Sequence, residues 1–470
     1  MSHKGHTFGL ILILLIAFWL RVTDLATMPP GISTDESFNA ADSFILAQTG
    51  HLPLYEDLNR PEHLHRIILA VGSLFGSSVW AFRLMQVFAG VITVALADWA
   101  TRQTLPDLPR PIRQIAGLAA AGSLAVAMSH VVLSRSLYRG LWQPVWMLLF
   151  FGFLMRGLRT SPPEQPLVAP LPILMERGLA TQPDSPSPCG PGGEVKTKLR
   201  AFWRNYHNFI LSGLALGLAL HTYTAALVVP LGLPVLALSL LIFRFRQWRR
   251  WLPGLVLLGV TAALITAPIM VMLLTDQDRV LTRATDLESE LTRDNIENRF
   301  DRVWRQITTR GDINSQYNAD YAPILPPTFD HLFMLGLIAL GLRLRHPSSA
   351  LLASLLLLGT LPVMMAGEIP HGHRIVGEFA VFPVIMGVGV GAVLGVGEWF
   401  FNFTMSRRGD PVGRPGRGVA APLQIPLVVI ALALLTLTIT NARDVSANYR
   451  AWWDNNDHPW EVYGRELTHG

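Results

Sequence analysis

The sequence predicts an all-α polytopic membrane protein, and three observations carry that prediction. Half of the 470 residues are hydrophobic and only 15% are charged, a composition that a soluble core does not need. Apolar runs close to the roughly 20 residues that cross a bilayer recur from end to end. Arginine and lysine gather in alternate connecting loops, as they do where they orient a polytopic chain. The formal charge of +5 belongs to those loops, so it is not a nucleic-acid signature. The single cysteine, Cys189, excludes an internal disulfide framework and a cysteine-rich metal site. No Walker loop or dinucleotide glycine fingerprint occurs.

The first apolar run, 8–22, is within signal-peptide length, but no small-residue cleavage site follows it, so it reads as a retained span. Pro29, Pro30 and Gly31 then break the chain. Ser33 followed by Glu36 has the spacing of a capping box, which places Asp35 at the second helical position. Phe38, Ala41, Ile45 and Leu46 follow at helical spacing and Gly50 is a natural stop. An amphipathic helix of about four turns should therefore lie on the membrane surface. Residues 66–75 read as a second short surface helix. Further spans are expected at 78–100, 114–134, 140–155, 208–222, 225–243, 252–274, 329–342, 348–366, 375–400 and 422–440, which with the first makes about 11.

These spans divide into an N-terminal transmembrane module, 1–160, with a first outer loop at 23–66, and a C-terminal module, 206–440, with an outer loop at 275–328. Between them the proline-rich stretch 161–205, which holds Cys189, reads as a disordered linker. Residues 441–470 form a tail. The basic loops around Arg102 to Arg113, Arg156 to Arg204, Arg244 to Arg250, Arg343 with Arg345, and Arg407 to Arg417 all fall on one side if the N-terminus is cytoplasmic. The first outer loop, the 275–328 loop and the C-terminal tail are then extracytoplasmic, in a cell membrane.

The candidate chemistry lies on that outer side. Asp35 and Glu36 are adjacent carboxylates in a first helical turn. The helix dipole there favours the ionised form that a general base needs. Acidic residues are also ordinary at helix starts, and the capping box already gives Glu36 a task. Outer cations run against the charge bias and fall in three groups: Arg60, His63, His65 and Arg66; Arg135, Tyr138 and Arg139; and His371, His373 and Arg374, beside Glu368 and Glu378. Arg83 sits about one turn inside a span, where a charge costs about 1 to 3 kcal/mol unless it snorkels or finds a partner. The bland reading of Arg83 and Arg135 is contact with lipid phosphates. That of Arg374 is an ion pair with Glu368 or Glu378.

The two His-x-His pairs suit a divalent cation, but a site also needs a convergent third ligand that spacing does not supply. No cofactor is required by the sequence, and a divalent cation stays open. The 275–328 loop should be helical at 283–288 and irregular near 310–314 and 323–327. It reads either as a solvated cap or as a lid or acceptor platform whose polar contacts are Asp312, Asn314 and Asn318. Tyr449, Trp452, Trp453, Trp460 and Tyr463 in the tail read as an interfacial aromatic anchor.

Several stretches together carry a family likeness. They are Pro30-Gly31-Ile32-Ser33-Thr34-Asp35-Glu36, Gly50-His51-Leu52-Pro53-Leu54, Trp80-Ala81-Phe82-Arg83-Leu84, Leu218-Ala219-Leu220-His221-Thr222-Tyr223-Thr224-Ala225, Arg310-Gly311-Asp312 and His373-Arg374-Ile375-Val376-Gly377. In that order and topology the chain resembles the GT-C superfamily of polyprenyl-phosphate-dependent glycosyltransferases. Within it, the likeness is to the bacterial family-39-like branch related to protein O-mannosyltransferases and aminoarabinose transferases. The likeness covers nearly the whole chain outside the linker.

The resemblance implies an acidic base in the first outer loop, matching Asp35 with Glu36 beside it. It also implies basic residues near the membrane surface on the lipid phosphate, matching Arg374, His373 and Arg83, with His371, Arg139, Tyr138 and His65 as further candidates. The implied partners are a polyprenyl-phosphate-linked sugar, the bilayer and an acceptor that is protein, lipid or glycan, with no nucleic acid. The implied activity is hexosyl or pentosyl transfer. The rival class is a transporter or flippase for a lipid-linked saccharide, which would favour repeated halves and broken helices. No convincing internal repeat is seen.

Overall fold

The computed structural model describes residues 3–29, 31–50, 63–76, 78–160, 191–275, 293–312, 317–364, 372–407 and 421–455, and among them there is no strand. The helices in chain order are α1 His3–Val22, α2 Thr34–Thr49, α3 His63–Gly72, α4 Val79–Thr104, α5 Arg110–Ala125, α6 Met128–Leu133, α7 Trp142–Thr160 and α8 Pro191–Leu220. There follow α9 Gly232–Phe243, α10 Phe245–Thr275, α11 Arg293–Thr308, α12 Asp330–Leu342, α13 Pro347–Met364, α14 Phe382–Arg407 and α15 Ala421–Asn455. Four 3₁₀ segments join them: Ser73–Phe75, Arg139–Leu141, Thr224–Leu231 and Gly372–Ala380.

The chain is an all-α polytopic membrane protein. Among the described residues, 8 helical segments are long and apolar enough to cross a bilayer. The other three expected spans coincide with α5 and α6, interrupted at Val126, with the second half of α8, and with α12, which has 13 residues. Two boundaries differ from expectation. α8 begins at Pro191, so 191–205 is helical. α15 runs on past residue 440 to Asn455, because the polar sequence after the span keeps good helix formers and meets no glycine or proline. Its Tyr449 and Trp453 are buried against Met128, Val132 and Ala319, so they anchor protein to protein where a lipid-facing girdle was expected. Trp460 and Tyr463 lie outside the described residues.

Exposure is inverted relative to a soluble protein. Phe8, Ile11 and Leu15 of α1, Leu238 and Ile242 of α9, Val256, Val260 and Leu264 of α10, and Val429 and Leu432 of α15 face outward. Arg21, Arg83, Asp98 and Arg135 are buried. Such a distribution suits a hydrocarbon solvent, in which charges turn inward and find partners. α4 packs on α5 and α7, α8 on α7 and α10, and α14 on α5 and α12. The α12/α14 contact needs small residues. A Cβ on Gly336 would lie 2.1 Å from the Ile385 carbonyl oxygen, and one on Gly389 2.5 Å from that of Leu332.

Candidate active site

The capping box forms as its spacing requires. Glu36 N–H donates to Ser33 Oγ at 3.4 Å, and Ser33 N–H donates to Glu36 Oε2 at 3.0 Å. Gly50 closes the helix in the left-handed region at φ 64°. Glu36 then receives three more donors: Leu137 N–H at 2.8 Å on Oε1, Arg83 Nε at 3.1 Å on Oε1 and Arg83 Nη2 at 3.1 Å on Oε2. Arg83 also donates from Nη1 to Pro29 O at 2.8 Å and from Nη2 to Gly31 O at 2.6 Å. Both side chains are 2% exposed. The guanidinium that the span buries thus finds its counter-ion on α2, and the fork geometry fixes the segment leading into that helix. One turn on, Asn39 Nδ2 donates to Leu137 O at 3.0 Å, stitching α2 to the turn between α6 and α7.

Asp35 has the opposite environment. It is exposed, and its Oδ2 accepts the Tyr317 hydroxyl at 3.0 Å. A small pocket is lined by Asp35, Glu36, Asn39, Ser136, Leu137, Tyr138, Arg139 and Tyr317. Tyr138 meets Tyr223 and Tyr317 edge-on, with ring centroids 5.8 and 5.5 Å apart. Burial pushes the Tyr138 and Tyr317 hydroxyls up, and for Tyr317 the facing Asp35 carboxylate adds to the effect. Both remain neutral hydroxyls at ordinary pH. The pocket therefore offers an accessible carboxylate with one oxygen already oriented, a half-buried guanidinium from Arg139 and an aromatic wall.

Tyr317 arrives on a loop held by its own polar groups. Gly311 N–H donates to Tyr321 O at 2.8 Å. Asn318 Nδ2 donates to Asp312 O at 3.2 Å and to Ala322 O at 2.9 Å, while Ser129 Oγ donates to Asn318 Oδ1 at 3.1 Å. Asp312 and Asn318, expected as polar contacts of a lid, are buried at 6% and 2% exposure. Asn318 is occupied in shaping the loop and is not presented to solvent. Asn314 and residues 283–288 lie outside the described residues.

The other candidates scatter. His65 is fully buried in α3, where burial lowers its imidazole to about 3, with Arg139 and Arg66 adding to the effect. The ring is neutral, and its Nδ1 lies 3.4 Å from Gln86 Nε2. Arg66 pairs with Asp42 at 3.0 Å. Arg374 is half-buried at the start of the Gly372–Ala380 segment, which packs against α7, α13 and the Arg139–Leu141 turn. It is not among the residues lining the Asp35 pocket. His371, Glu368 and Arg60, and the side chains of His63 and His373, lie outside the described residues. Glu378 is buried against Gly359 of α13. Among the described residues no group of three or more His, Cys, Asp or Glu converges as metal ligands would.

The structure brings together Asp35, Glu36, Tyr138 and Arg139, with Arg83 behind Glu36. Sequence reasoning missed Tyr317, Tyr223, Asn39 and Ser136. Tyr223 lay within a stretch that carried the family likeness. Tyr317 had only the neighbouring Asn314 and Asn318 to signal it.

No known sequence family matches the chain, and no curated protein matches it in sequence. Solved structures do match in fold. The archaeal oligosaccharyltransferase AglB from Archaeoglobus fulgidus, in complex with an inhibitory peptide and a dolichol-phosphate, superposes with a TM-score of 0.57 at 13% identity, over 97% of this chain and 59% of AglB. ArnT from Cupriavidus metallidurans in the apo state superposes with a TM-score of 0.57 at 15% identity, over 99% of this chain and 78% of ArnT. The chain thus spans about three fifths of the length of AglB. It shares its fold with both of these proteins.

Proposed function

We propose that the chain transfers a sugar from a polyprenyl-phosphate donor to an acceptor at the membrane surface where α2 lies. The observation that carries this reading is the Asp35 pocket, in which an accessible carboxylate and the Arg139 guanidinium share one small cleft at the ends of the spans. The dolichol-phosphate in the AglB complex, on the same fold, supports a lipid-phosphate donor. A polyprenyl chain confines its sugar to the bilayer, so the reactive carbon can be met only at headgroup depth.

In the proposed step the acceptor oxygen or nitrogen attacks the anomeric carbon and Asp35 takes its proton. The bond from that carbon to the phosphate oxygen breaks, and the lipid phosphate leaves. Arg139 stabilises the charge that develops on the leaving oxygen, with Arg374 as the second cation, on the segment packed against the Arg139–Leu141 turn. Glu36 and Arg83, which occupy one another, hold α2 in place for Asp35. Tyr138 lines the acceptor side, and His65, neutral and buried, lies within electrostatic reach of Arg139. His371 and His373 remain candidates for the phosphate, and a divalent cation remains open. The sugar is a hexose or pentose, and the membrane is the cell membrane with the N-terminus inside.

The test is incubation of the purified protein with labelled polyprenyl-phosphate sugars and a membrane extract as acceptor source, with release of free polyprenyl phosphate measured. Asp35→Asn should lower release by about 10² to 10⁴, the usual contribution of a general base. Its melting temperature should stay near wild type, since Asp35 is exposed and Glu36 keeps the cap. Movement of intact lipid-linked sugar across vesicles without release of lipid phosphate would make the protein a flippase.

A further inference from the structure

A separate small pocket lies between the turn that follows α1, the end of α6 and α15, and it shares no residue with the Asp35 pocket. Arg135 lines it. Its Nη1 donates to Leu20 O at 2.9 Å, its Nη2 donates to Met28 O at 3.0 Å, and its guanidinium carbon lies 4.9 Å from the centre of the Tyr449 ring. Two donors on side chains that line this pocket are left over. Arg135 Nε and the Tyr449 hydroxyl have no partner among the described residues, although these side chains are only 2% and 5% exposed. Two such donors on adjacent side chains of one pocket are an arrangement that a ligand with acceptor oxygens would satisfy.

The charge around the pocket selects an anion. Arg135 and Arg450 line it, and Arg21 stands within electrostatic reach of Arg135. Against these stands one carboxylate, Asp24, which pairs with Arg450 at 3.0 Å. The place selects a lipid. The pocket sits at the end of the membrane-spanning α1, just beyond the exposed Phe18 and Trp19, and its remaining walls include the apolar Val131 and Val445. An anion at that depth, with apolar wall beside it, has the chemistry of a phospholipid phosphate.

We propose that this pocket binds the phosphate of an anionic membrane phospholipid, with the free Nε–H of Arg135 and the Tyr449 hydroxyl donating to its oxygens. Binding would reach the Asp35 pocket through the chain. Arg135 holds the Met28 carbonyl, and Arg83 holds those of Pro29 and Gly31 just before α2.

The test is lipid binding to the full-length protein in detergent, read by native mass spectrometry with phosphatidylglycerol and phosphatidylethanolamine of identical acyl chains. Phosphatidylglycerol should bind at least about fivefold more tightly. Tyr449→Phe keeps the ring over Arg135 and should weaken phosphatidylglycerol by about tenfold or more, the worth of one hydrogen bond to a charged group. Asp24→Asn should strengthen phosphatidylglycerol by about two- to fivefold by removing the opposing charge at a half-exposed site. Asparagine tolerates the φ of 57° found there, so this variant gives an answer even where Tyr449→Phe lowers stability. Equal retention of the two lipids, or phosphatidylglycerol affinity unchanged in both variants, overturns the proposal. Displacement of phosphatidylglycerol by equimolar glycerol 3-phosphate also overturns it, since the site would then read free phosphate and no lipid.

Discussion

Asp35 and Glu36 are neighbours in sequence with opposite fates, and helix geometry is the reason. At the third helical position Glu36 turns back to the N-cap, where Ser33, Leu137 and Arg83 saturate both its oxygens. Asp35, one position earlier, points away and meets Tyr317 and solvent. The cap was legible because it is local. The Arg83 partner was not, since a buried arginine in a span advertises a need for a counter-ion without naming it. Arg83→Ala leaves the Glu36 carboxylate buried and unpaired, so stability should drop by about 3 to 5 kcal/mol. Arg83→Ala with Glu36→Gln should recover part of that loss. A double variant no more stable than the single one, by thermal unfolding in detergent, would show the pair to be uncoupled.

His65 gives a prediction with a fixed sign. Folded, its imidazole is held down to about 3, from an ordinary value of 6.5, chiefly by burial. As pH falls, the unfolded chain takes up this proton first, so stability is full above 6.5 and is lost as pH falls toward 3. His65→Gln removes the titration. The wild-type melting temperature should therefore fall relative to that of His65→Gln between about pH 7 and pH 4. A constant difference across that range would show that His65 does not carry the effect.

At the scale of elements, the legible features were those with short-range rules. Period and caps located α2, and the apolar runs located the spans. The end of α15 was missed because nothing in its sequence stops a helix where the membrane stops, and what holds the extra turns is packing of Tyr449 and Trp453 on Ala319. The contact between Tyr317 and Asp35 joins residues 282 positions apart. No periodicity reports such a pairing. Its geometry depends on the Asn318 amide, which ties Asp312, Ala322 and Ser129 together. Asn318→Ala should free the loop and lower transfer by about tenfold, the worth of one hydrogen bond oriented on a charged carboxylate. Asn318→Asp keeps the acceptor for Ser129 but loses both donors, and should behave likewise. Unchanged rates in both would detach the loop from the site.

For the whole molecule the open quantity is orientation, and the structure sharpens the charge argument. Among the described residues, basic loops separated in sequence meet at one end of the bundle. Asp98 binds His6 at 2.9 Å and Arg102 at 2.7 Å, Arg343 reaches Asp107 at 3.4 Å, and Arg159 donates to Gln103. Trp251 Nε1, beside Arg249 and Arg250, donates to Leu158 O at 2.9 Å. Asp35, Arg139 and Tyr317 lie at the other end, beyond the far ends of α1, α4 and α7, so the arginine-rich end and the proposed site face opposite compartments. We therefore propose, from the positive-inside rule, that the site lies outside the cytoplasm. Cys189 is the single thiol and sits between the Arg156 and Arg204 clusters. A membrane-impermeant maleimide should leave it unmodified in sealed cells and label it after permeabilisation. In a Cys189→Ser background, Thr309→Cys, an exposed position on the Tyr317 side, should label in sealed cells without permeabilisation. The two thiols test the same inference from opposite sides, so a labelling defect at one does not mimic inversion. Labelling of Cys189 in sealed cells together with protection of Thr309→Cys would put the Asp35 pocket in the cytoplasm, where a soluble nucleotide-sugar donor would compete with the lipid-phosphate reading.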